Sequence, residues 1–236
     1  MIEISTFPGA VLDILFPRRC LICSVFLTHP LSGSARKQSL EKYLCPACRQ
    51  HLQIYEAHLD KVRLFGVEKV FSGYLYAGSL EKIIPAWKYH NRHEFFPLVR
   101  ALLNLSLPGQ KISNLAFDLI MAIPLSPRAL RKRGFNQAFF IASCTSMFLK
   151  QPLACNLLIK HIDTPQQASS NRQARALNLR PDVFQVSEPD RIAGKNILLC
   201  DDVLTTGATL SAAARVLKSA GAAKVSALTL ARVVLD

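Results

Sequence analysis

The chain has 236 residues, of which half are hydrophobic and 19% are charged, and this composition excludes a largely disordered protein. No uninterrupted apolar run approaches the ~20 residues that cross a bilayer, so we expect no membrane span. The first 17 residues contain two acidic residues and no basic one, which is the reverse of a secretory signal. We therefore expect a cytoplasmic protein.

The net charge of +13 is unevenly distributed. Residues 128–195 hold 11 lysines and arginines against 4 acidic residues, whereas residues 196–236 hold 4 against 3. A basic stretch of this kind favours a phosphate-rich or polyanionic partner. General basicity of the surface is the alternative interpretation.

Four of the seven cysteines form two pairs near the N-terminus, Cys20/Cys23 and Cys45/Cys48, with 21 residues between the pairs. Each C-x-x-C turns two thiolates toward one point, and two such knuckles complete a tetrahedral, structural Zn²⁺ site. Redox-active or incidental cysteines are the alternative. A segment this small cannot form its own core, so zinc would stabilise it.

After the cysteine pairs, strand patterns alternate with helix patterns. Strands are predicted over residues 70–77, 119–123, 196–200 and 225–234, and helices from Ser79 and over residues 94–105, 137–149 and 209–220. This alternation is typical of an α/β domain with a parallel sheet flanked by helices. We predict a zinc-binding module over residues 1–60 and an α/β domain over residues 61–236.

A long polar segment and three single cysteines lie outside these predicted helices and strands or singly within them. Residues 163–190 are polar and poor in apolar residues, which predicts a long loop, and such loops are often functional. The three single cysteines, Cys144, Cys155 and Cys200, lie in apolar surroundings and are expected to be small core residues.

The most specific motif is I-L-L-C-D-D-V-L-T-T-G-A-T, at residues 197–209. A buried strand ends, two carboxylates (Asp201 and Asp202) follow in a predicted loop over residues 201–207, and a helix then begins. Backbone N–H groups and hydroxyls at such a helix start form a cradle for a phosphate, and the cradle residues are Thr205, Thr206, Gly207, Ala208 and Thr209. The carboxylates can accept hydrogen bonds from sugar hydroxyls, directly or through hydrated Mg²⁺. The motif therefore predicts a site for a ribose 5-phosphate; an ordinary strand-to-helix turn with an acidic strand end is the alternative.

A second motif, P-L-S-P-R-A-L-R-K-R-G-F-N-Q-A, begins where the strand near residue 123 ends. Arg128 and Arg131 are three residues apart and share a face of a helical turn, and Arg133 follows them. Arginine forks match the oxygens of a diphosphate, which an activated ribose 5-phosphate would carry. A solvated basic patch is the alternative. No Walker-type phosphate loop occurs in the sequence.

These two motifs together resemble the ComF family of bacterial competence-related proteins. The resemblance covers most of the chain, including the cysteine pairs, the Lys88–Tyr89 dipeptide, and the pattern K-x-x-x-T-x-x-Q followed by R-x-x-N that starts at Lys160. It implies a type I phosphoribosyltransferase fold behind a zinc-ribbon-like module, with phosphoribosyl pyrophosphate (PRPP) and Mg²⁺ as ligands. It also implies a role in DNA uptake during natural transformation. On this analogy residues 126–136 form the pyrophosphate loop, and residues 163–180 form a flexible loop that closes over the substrate.

Three functions remain open at this stage. The first is transfer of a phosphoribosyl group from PRPP to an unidentified acceptor, with release of pyrophosphate. The second is a sensor that binds PRPP or a nucleotide without transfer. The third is an accessory protein that binds single-stranded DNA through its zinc module and basic surface, with Tyr43, Tyr55 and Trp87 as candidate stacking faces.

Overall fold

The structure is a computed structural model that describes residues 17–27, 40–56, 63–89, 92–160 and 183–234. In chain order its helices and strands are α1 (Pro46–Gln50), β1 (Val70–Leu75), α2 (Ser79–Tyr89), α3 (Phe95–Ser106), β2 (Leu119–Ala122), α4 (Pro127–Arg133), α5 (Gln137–Leu149), β3 (Leu153–Ala154), β4 (Leu158–Lys160), β5 (Phe184–Val186), β6 (Asn196–Leu204), α6 (Ala208–Ser219) and β7 (Lys224–Arg232). Short 3₁₀ turns occur at Leu40–Lys42, Pro108–Gln110, Ile112–Asn114 and Pro189–Arg191.

Five strands form one parallel sheet in the order β1-β7-β6-β2-β3. The central strand β6 is apolar on both faces because helices cover both sides. Leu198 and Cys200 lie in one apolar cluster with α2, α3 and α5, and Ile197 and Leu199 lie in a second cluster with α6. The predicted α/β class and parallel sheet are confirmed.

The predicted elements are present, but the end of β6 is further along the chain than the sequence indicated. We expected the strand to stop at Cys200, and it continues to Leu204. Its backbone keeps pairing with β7, from Asp201 opposite Thr229 to Leu204 opposite Arg232. The prediction that both carboxylates lie in a loop is therefore wrong, and the turn to α6 is confined to Thr205–Gly207.

The predicted loop over residues 163–190 is partly wrong. Residues 184–186 form β5, which pairs antiparallel with β4 in a separate two-stranded sheet. Phe184 is buried in the second apolar cluster, and this burial stabilises a strand in a segment that is otherwise polar. The part of this loop at residues 163–180, to which the family resemblance assigns closure over the substrate, lies outside the described residues.

The cysteine-bearing segment packs on the α/β domain. Cys20 and Leu44 are 1% exposed and belong to the same apolar cluster as Leu80 and Ile83 of α2. Ile54 also forms an antiparallel bridge with Tyr74 at the outer edge of β1. The division of the chain at residue 60 stays a prediction. Among the described residues, no helix is long and apolar enough to cross a membrane.

The single cysteines follow the prediction in two of three cases. Cys144 and Cys200 are buried, as expected for small core residues. Cys155 is exposed, so the prediction for this residue is wrong. It follows the two-residue strand β3, which lies at the edge of the sheet.

Candidate functional site

The candidate ligand site lies at the carboxyl edge of the sheet, where β2 ends earlier than its neighbour β6. The N–H of Ile123 donates to the carbonyl of Cys200 at 2.9 Å, after which the chain of β2 turns away at Pro124. β6 continues past this point to Leu204. Asp201 and Asp202 therefore lie beyond the end of β2, at the edge where ligands bind in open α/β sheets.

The two carboxylates have different surroundings because adjacent strand residues project to opposite faces. Asp202 is 9% exposed and forms an ion pair with Lys88, whose Nζ lies 2.8 Å from Asp202 Oδ2. Asp201 is half-buried, and its Oδ1 accepts a hydrogen bond from the backbone N–H of Asp202 at 2.8 Å.

Burial and the neighbouring charge of Asp202 raise the pKa of the Asp201 carboxyl to about 7. The N–H bond from Asp202 and the charges of Lys88 and Lys160 oppose this shift in pKa without overcoming it. Near neutral pH the carboxyl of Asp201 therefore exchanges between its protonated and ionised forms. A cation placed beside this carboxyl pair would favour the ionised form.

The predicted phosphate cradle is an exposed turn followed directly by the first turn of α6. Thr205 and Thr206 are exposed, and the Thr206 hydroxyl accepts the N–H of Ala208 at 3.4 Å. Gly207 has a φ of 74°, and a Cβ at this position would collide with the side chain of Leu64. Glycine is therefore required here by the backbone conformation and by packing, before any ligand is considered.

The predicted helical turn with the arginines is present as the short helix α4, which begins at the same edge of the sheet, and its role in ligand binding stays a prediction. Ser126 caps α4, with its Oγ accepting the Ala129 N–H at 3.2 Å. Arg128 and Arg131 are exposed on this helix, and Arg133 is half-buried, with its Nη1 donating to Gln137 Oε1 at 3.3 Å.

Asn136 fixes the chain after this helix to the end of β2. Its Nδ2 donates to the carbonyl of Ile123 at 3.0 Å, and its Oδ1 accepts the N–H of Ala138 at 3.0 Å at the start of α5. The same side chain therefore joins β2 and α5. The carboxylates, the threonine turn and the arginine helix all begin at one edge of the sheet.

Lys88, for which the sequence pattern predicted no role, contacts Asp202 in the structure. The dipeptide Lys88–Tyr89 carries part of the family resemblance, but nothing in its spacing connects it with a carboxylate 114 residues further along the chain. The side chains of Lys88 and Asp202 are 18% and 12% exposed. In the sequence around Lys88, the one feature that pointed to a role for it is its position at the end of an otherwise apolar helix face.

The four paired cysteines converge as predicted. Their sulfur atoms all lie within 4.8 Å of one another, and Cys23 Sγ and Cys45 Sγ are 3.6 Å apart. Thiolates bound tetrahedrally to zinc at about 2.3 Å would be about 3.8 Å apart, so the spacing fits. The two knuckles are also joined directly, since the N–H of Leu21 donates to the carbonyl of Tyr43 at 2.9 Å.

Backbone donors favour a thiolate in this cluster. Burial of Cys20 acts in the opposite direction, but N–H groups of Cys23, Cys45 and Ile22 lower the pKa of its thiol to about 6. Burial and the neighbouring thiols raise the pKa of Cys48. Four such groups can ionise together only beside a cation, which is the condition that a structural Zn²⁺ provides.

The proposed stacking residues differ in exposure. Trp87 and Tyr55 are 0% and 4% exposed, so they are core residues and offer no stacking face. Tyr43 is half-buried and lines a cleft of about 510 Å³ together with Phe96, Pro97, Arg100, Ala101, Asn104 and Phe140.

Comparison with known proteins agrees with this geometry. The model of the phosphoribosyl transferase domain matches residues 144–233, which include both carboxylates and the threonine turn. Competence protein ComFC of Bacillus subtilis is 25% identical over 237 residues, covering 90% of this chain and 94% of that protein. The resemblance to the ComF family is confirmed.

A second relative and one solved structure extend this comparison. DNA utilization protein YhgH of Escherichia coli (strain K12) is 28% identical over 226 residues, covering 92% of this chain and 97% of that protein. The B. subtilis glutamine PRPP amidotransferase, solved with ADP and GMP, is 18% identical with a TM-score of 0.34. This match covers 50% of the present chain and 23% of the amidotransferase.

Proposed function

We propose that the protein binds Mg²⁺ and PRPP at the carboxyl edge of its sheet and acts in the handling of DNA taken up by the cell. The observation that carries this proposal is that a carboxylate pair, a threonine turn and an arginine helix lie at one edge of the sheet, and that the first two fall within residues 144–233, which match the phosphoribosyl transferase domain. The relatives named for competence and for DNA utilization supply the cellular context. The proposal places this activity in the cytoplasm.

Each group at this edge matches one part of PRPP. The carboxylates of Asp201 and Asp202 are suited to the ribose hydroxyls and to Mg²⁺, which prefers oxygen ligands. The turn Thr205–Thr206 and the first N–H groups of α6 are suited to the 5-phosphate. Arg128 and Arg131 are suited to the pyrophosphate because their guanidinium groups are exposed at the same edge.

This division of roles predicts how two variants differ. Asp202→Asn should weaken binding of both PRPP and ribose 5-phosphate, since both ligands carry the sugar. Arg128→Ala should weaken binding of PRPP far more, since ribose 5-phosphate has no pyrophosphate. Loss of a charged hydrogen-bond partner costs about 1.5–3 kcal/mol, or roughly tenfold to a hundredfold in affinity.

Calorimetric titration of both variants with both ligands, with and without Mg²⁺, tests the assignment. Lys150→Ala is a suitable control because this exposed lysine follows the C-terminal end of α5, the end of that helix away from Asn136. Equal losses for PRPP and ribose 5-phosphate in Arg128→Ala would contradict the pyrophosphate assignment. Absence of PRPP binding in the unmodified protein would refute the proposal as a whole.

Transfer and sensing are distinguished by the fate of the pyrophosphate. A transferase cleaves the bond between ribose C1 and the pyrophosphate, and an acceptor nucleophile forms the new bond at C1. A sensor leaves PRPP intact. Isotope-labelled PRPP incubated with the protein and cell extract, and followed for release of pyrophosphate, separates the two functions.

Binding of single-stranded DNA is a second candidate function, favoured by the cleft beside Tyr43. Two further aromatic rings, Phe96 and Phe140, line this cleft, and Arg100 and Asn104 occupy successive turns of α3. Aromatic rings stack on bases irrespective of sequence, and the positive charge of the protein attracts the phosphates.

The second candidate predicts sequence-independent binding whose affinity falls steeply as salt concentration rises. Fluorescence anisotropy with a labelled single-stranded oligonucleotide measures this dependence, and Arg100→Ala should weaken binding. A protein that binds PRPP but no oligonucleotide at low salt would retain only the first function.

A further inference from the structure

We propose that Lys88 is a positioning residue of the ligand site, and that the second cysteine knuckle holds it in place through helix α2. Lys88 acts on Asp202, so this inference rests on the proposed binding of a ribose phosphate. It adds a residue to that site and gives the zinc-binding module a role in ligand affinity.

The ion pair between Lys88 and Asp202 is short and largely withdrawn from solvent. The 2.8 Å separation and the low exposure of both side chains mean that Lys88 holds the Asp202 carboxylate in one orientation. A buried carboxylate that loses its cationic partner is strongly destabilised in its charged form. Without Lys88, the Asp202 carboxylate would lose the contact that sets its orientation, and its oxygens would no longer be placed as acceptors for sugar hydroxyls.

Lys88 is held in place because its neighbour Trp87 anchors the C-terminal end of helix α2. Trp87 is fully buried and its ring contacts three phenylalanines within 6 Å between ring centroids, namely Phe96, Phe135 and Phe140. Phe135 lies in the segment between the arginine helix and α5. The end of α2 is thus packed against the chain that follows the candidate pyrophosphate site.

The other end of α2 begins on the second knuckle. Ser79 Oγ donates to the carbonyl of Cys48 at 2.7 Å, and the Ser79 N–H donates to the carbonyl of His51 at 3.3 Å. A Cβ on Gly78 would lie 2.6 Å from that same His51 oxygen, so the two backbones approach as closely as glycine allows. The start of α2 is therefore fixed by the segment that carries Cys45 and Cys48.

These contacts form one continuous path from the cysteine cluster to the candidate ligand site. Leu80, Ile83 and Ile84 of α2 are at most 1% exposed, and they pack in the same cluster as Cys20 and Leu44. Pro85 removes one hydrogen bond inside this helix, but the packing of these side chains connects its two ends, one on the cysteine module and the other on Asp202. Displacement of the knuckle should move the ammonium group of Lys88.

The first test is calorimetric titration of Lys88→Met with Mg²⁺ and either PRPP or ribose 5-phosphate. Both affinities should fall by about tenfold to a hundredfold, since Lys88 acts through the carboxylate that faces the sugar. Lys88→Arg, which keeps the charge, should restore most of the affinity. Lys82→Met, an exposed lysine of the same helix, is the matched control and should bind as the unmodified protein does.

Double-mutant cycles test whether the effect passes through the named residues. In an Asp202→Asn background, Lys88→Met should have little further effect. Ser79→Ala should weaken binding severalfold with its zinc content unchanged, and it should have little effect in a Lys88→Met background. Zinc content and the thermal midpoint of each variant establish that it is folded.

Three results would overturn the inference. They are unchanged affinity in Lys88→Met, a loss confined to PRPP, and additive losses in either cycle. Failure of Lys88→Arg to restore binding would also count against it, because the charge would then not be what positions Asp202. If the unmodified protein binds neither ligand, the proposed function itself fails; if Asp202→Asn weakens binding and Lys88→Met does not, only this inference fails.

Discussion

Replacement of Asp201 by asparagine should stabilise the protein, and the gain should grow as pH rises from 5 to 8. Burial and the charge of Asp202 raise the pKa of Asp201 from its ordinary value of 3.8 to about 7. The folded chain therefore keeps this proton over a pH range in which the unfolded chain has already lost it. Stability contributed by the protonated carboxyl is present at low pH and is lost as pH rises toward 7.

The size of the change in stability follows from the pH interval between 5 and the raised pKa of Asp201, about 7. That interval is about two pH units, and each unit corresponds to about 1.36 kcal/mol, which sets a ceiling of about 3 kcal/mol. Asp201 is only half-buried, so solvent screens part of its interactions. We expect the difference in unfolding free energy between Asp201→Asn and the unmodified protein to increase by about 1–2 kcal/mol from pH 5 to pH 8.

Urea denaturation at the two pH values, in buffer without magnesium and without a chelator that would remove zinc, measures this difference. Asp190→Asn removes the same formal charge from an exposed 3₁₀ turn and reports the effect of net charge alone. The reasoning is refuted if Asp201→Asn and Asp190→Asn change the free energy of unfolding equally at both pH values. It is also refuted if the stabilisation by Asp201→Asn becomes smaller as pH rises.

Three further predictions concern the zinc cluster and the backbone around the candidate ligand site. Metal analysis of protein purified without added zinc should give one zinc per chain, and Cys45→Ser should lose the metal and lower the thermal midpoint. Gly207→Ala should lower the free energy of unfolding by about 1–2 kcal/mol in urea titrations, because of its positive φ and the collision of the new Cβ with Leu64, and Leu64→Ala should cost less in the Gly207→Ala background than on its own. Asn136→Ala should cost about 1–2 kcal/mol in the same assay, since it loses bonds to β2 and α5; an unchanged midpoint would contradict the bridging role.

Features that depend on residues close together in the chain were predictable from the sequence. The C-x-x-C spacing brings two thiols together within each knuckle, because residues three positions apart lie on the same side of a tight turn. The helix Gln137–Leu149 was predicted with its observed bounds, since Asn136 caps it and apolar residues fill it. The alternation of strands and helices was sufficient to predict a parallel sheet, because consecutive parallel strands need a crossover connection, which is usually a helix.

The end of β6 was not predictable from local pattern. Consecutive acidic residues are rare inside a strand, so the sequence placed Asp201 and Asp202 in a loop. Pairing with β7 extends the strand to Leu204, because the hydrogen bonds available from that neighbour outweigh the low strand propensity of aspartate. β5 was missed for a similar reason, since its partner β4 lies more than twenty residues away along the chain.

Contacts between residues far apart in the chain were decided by the tertiary structure alone. The sequence determined that Asp202 is a carboxylate beside a threonine turn, and that Lys88 lies near the end of an apolar helix. Only packing of α2 between the cysteine module and the sheet brings Lys88 Nζ to 2.8 Å from Asp202 Oδ2. The charge of a buried carboxylate depends on such a partner, and no local pattern encodes where the partner will lie.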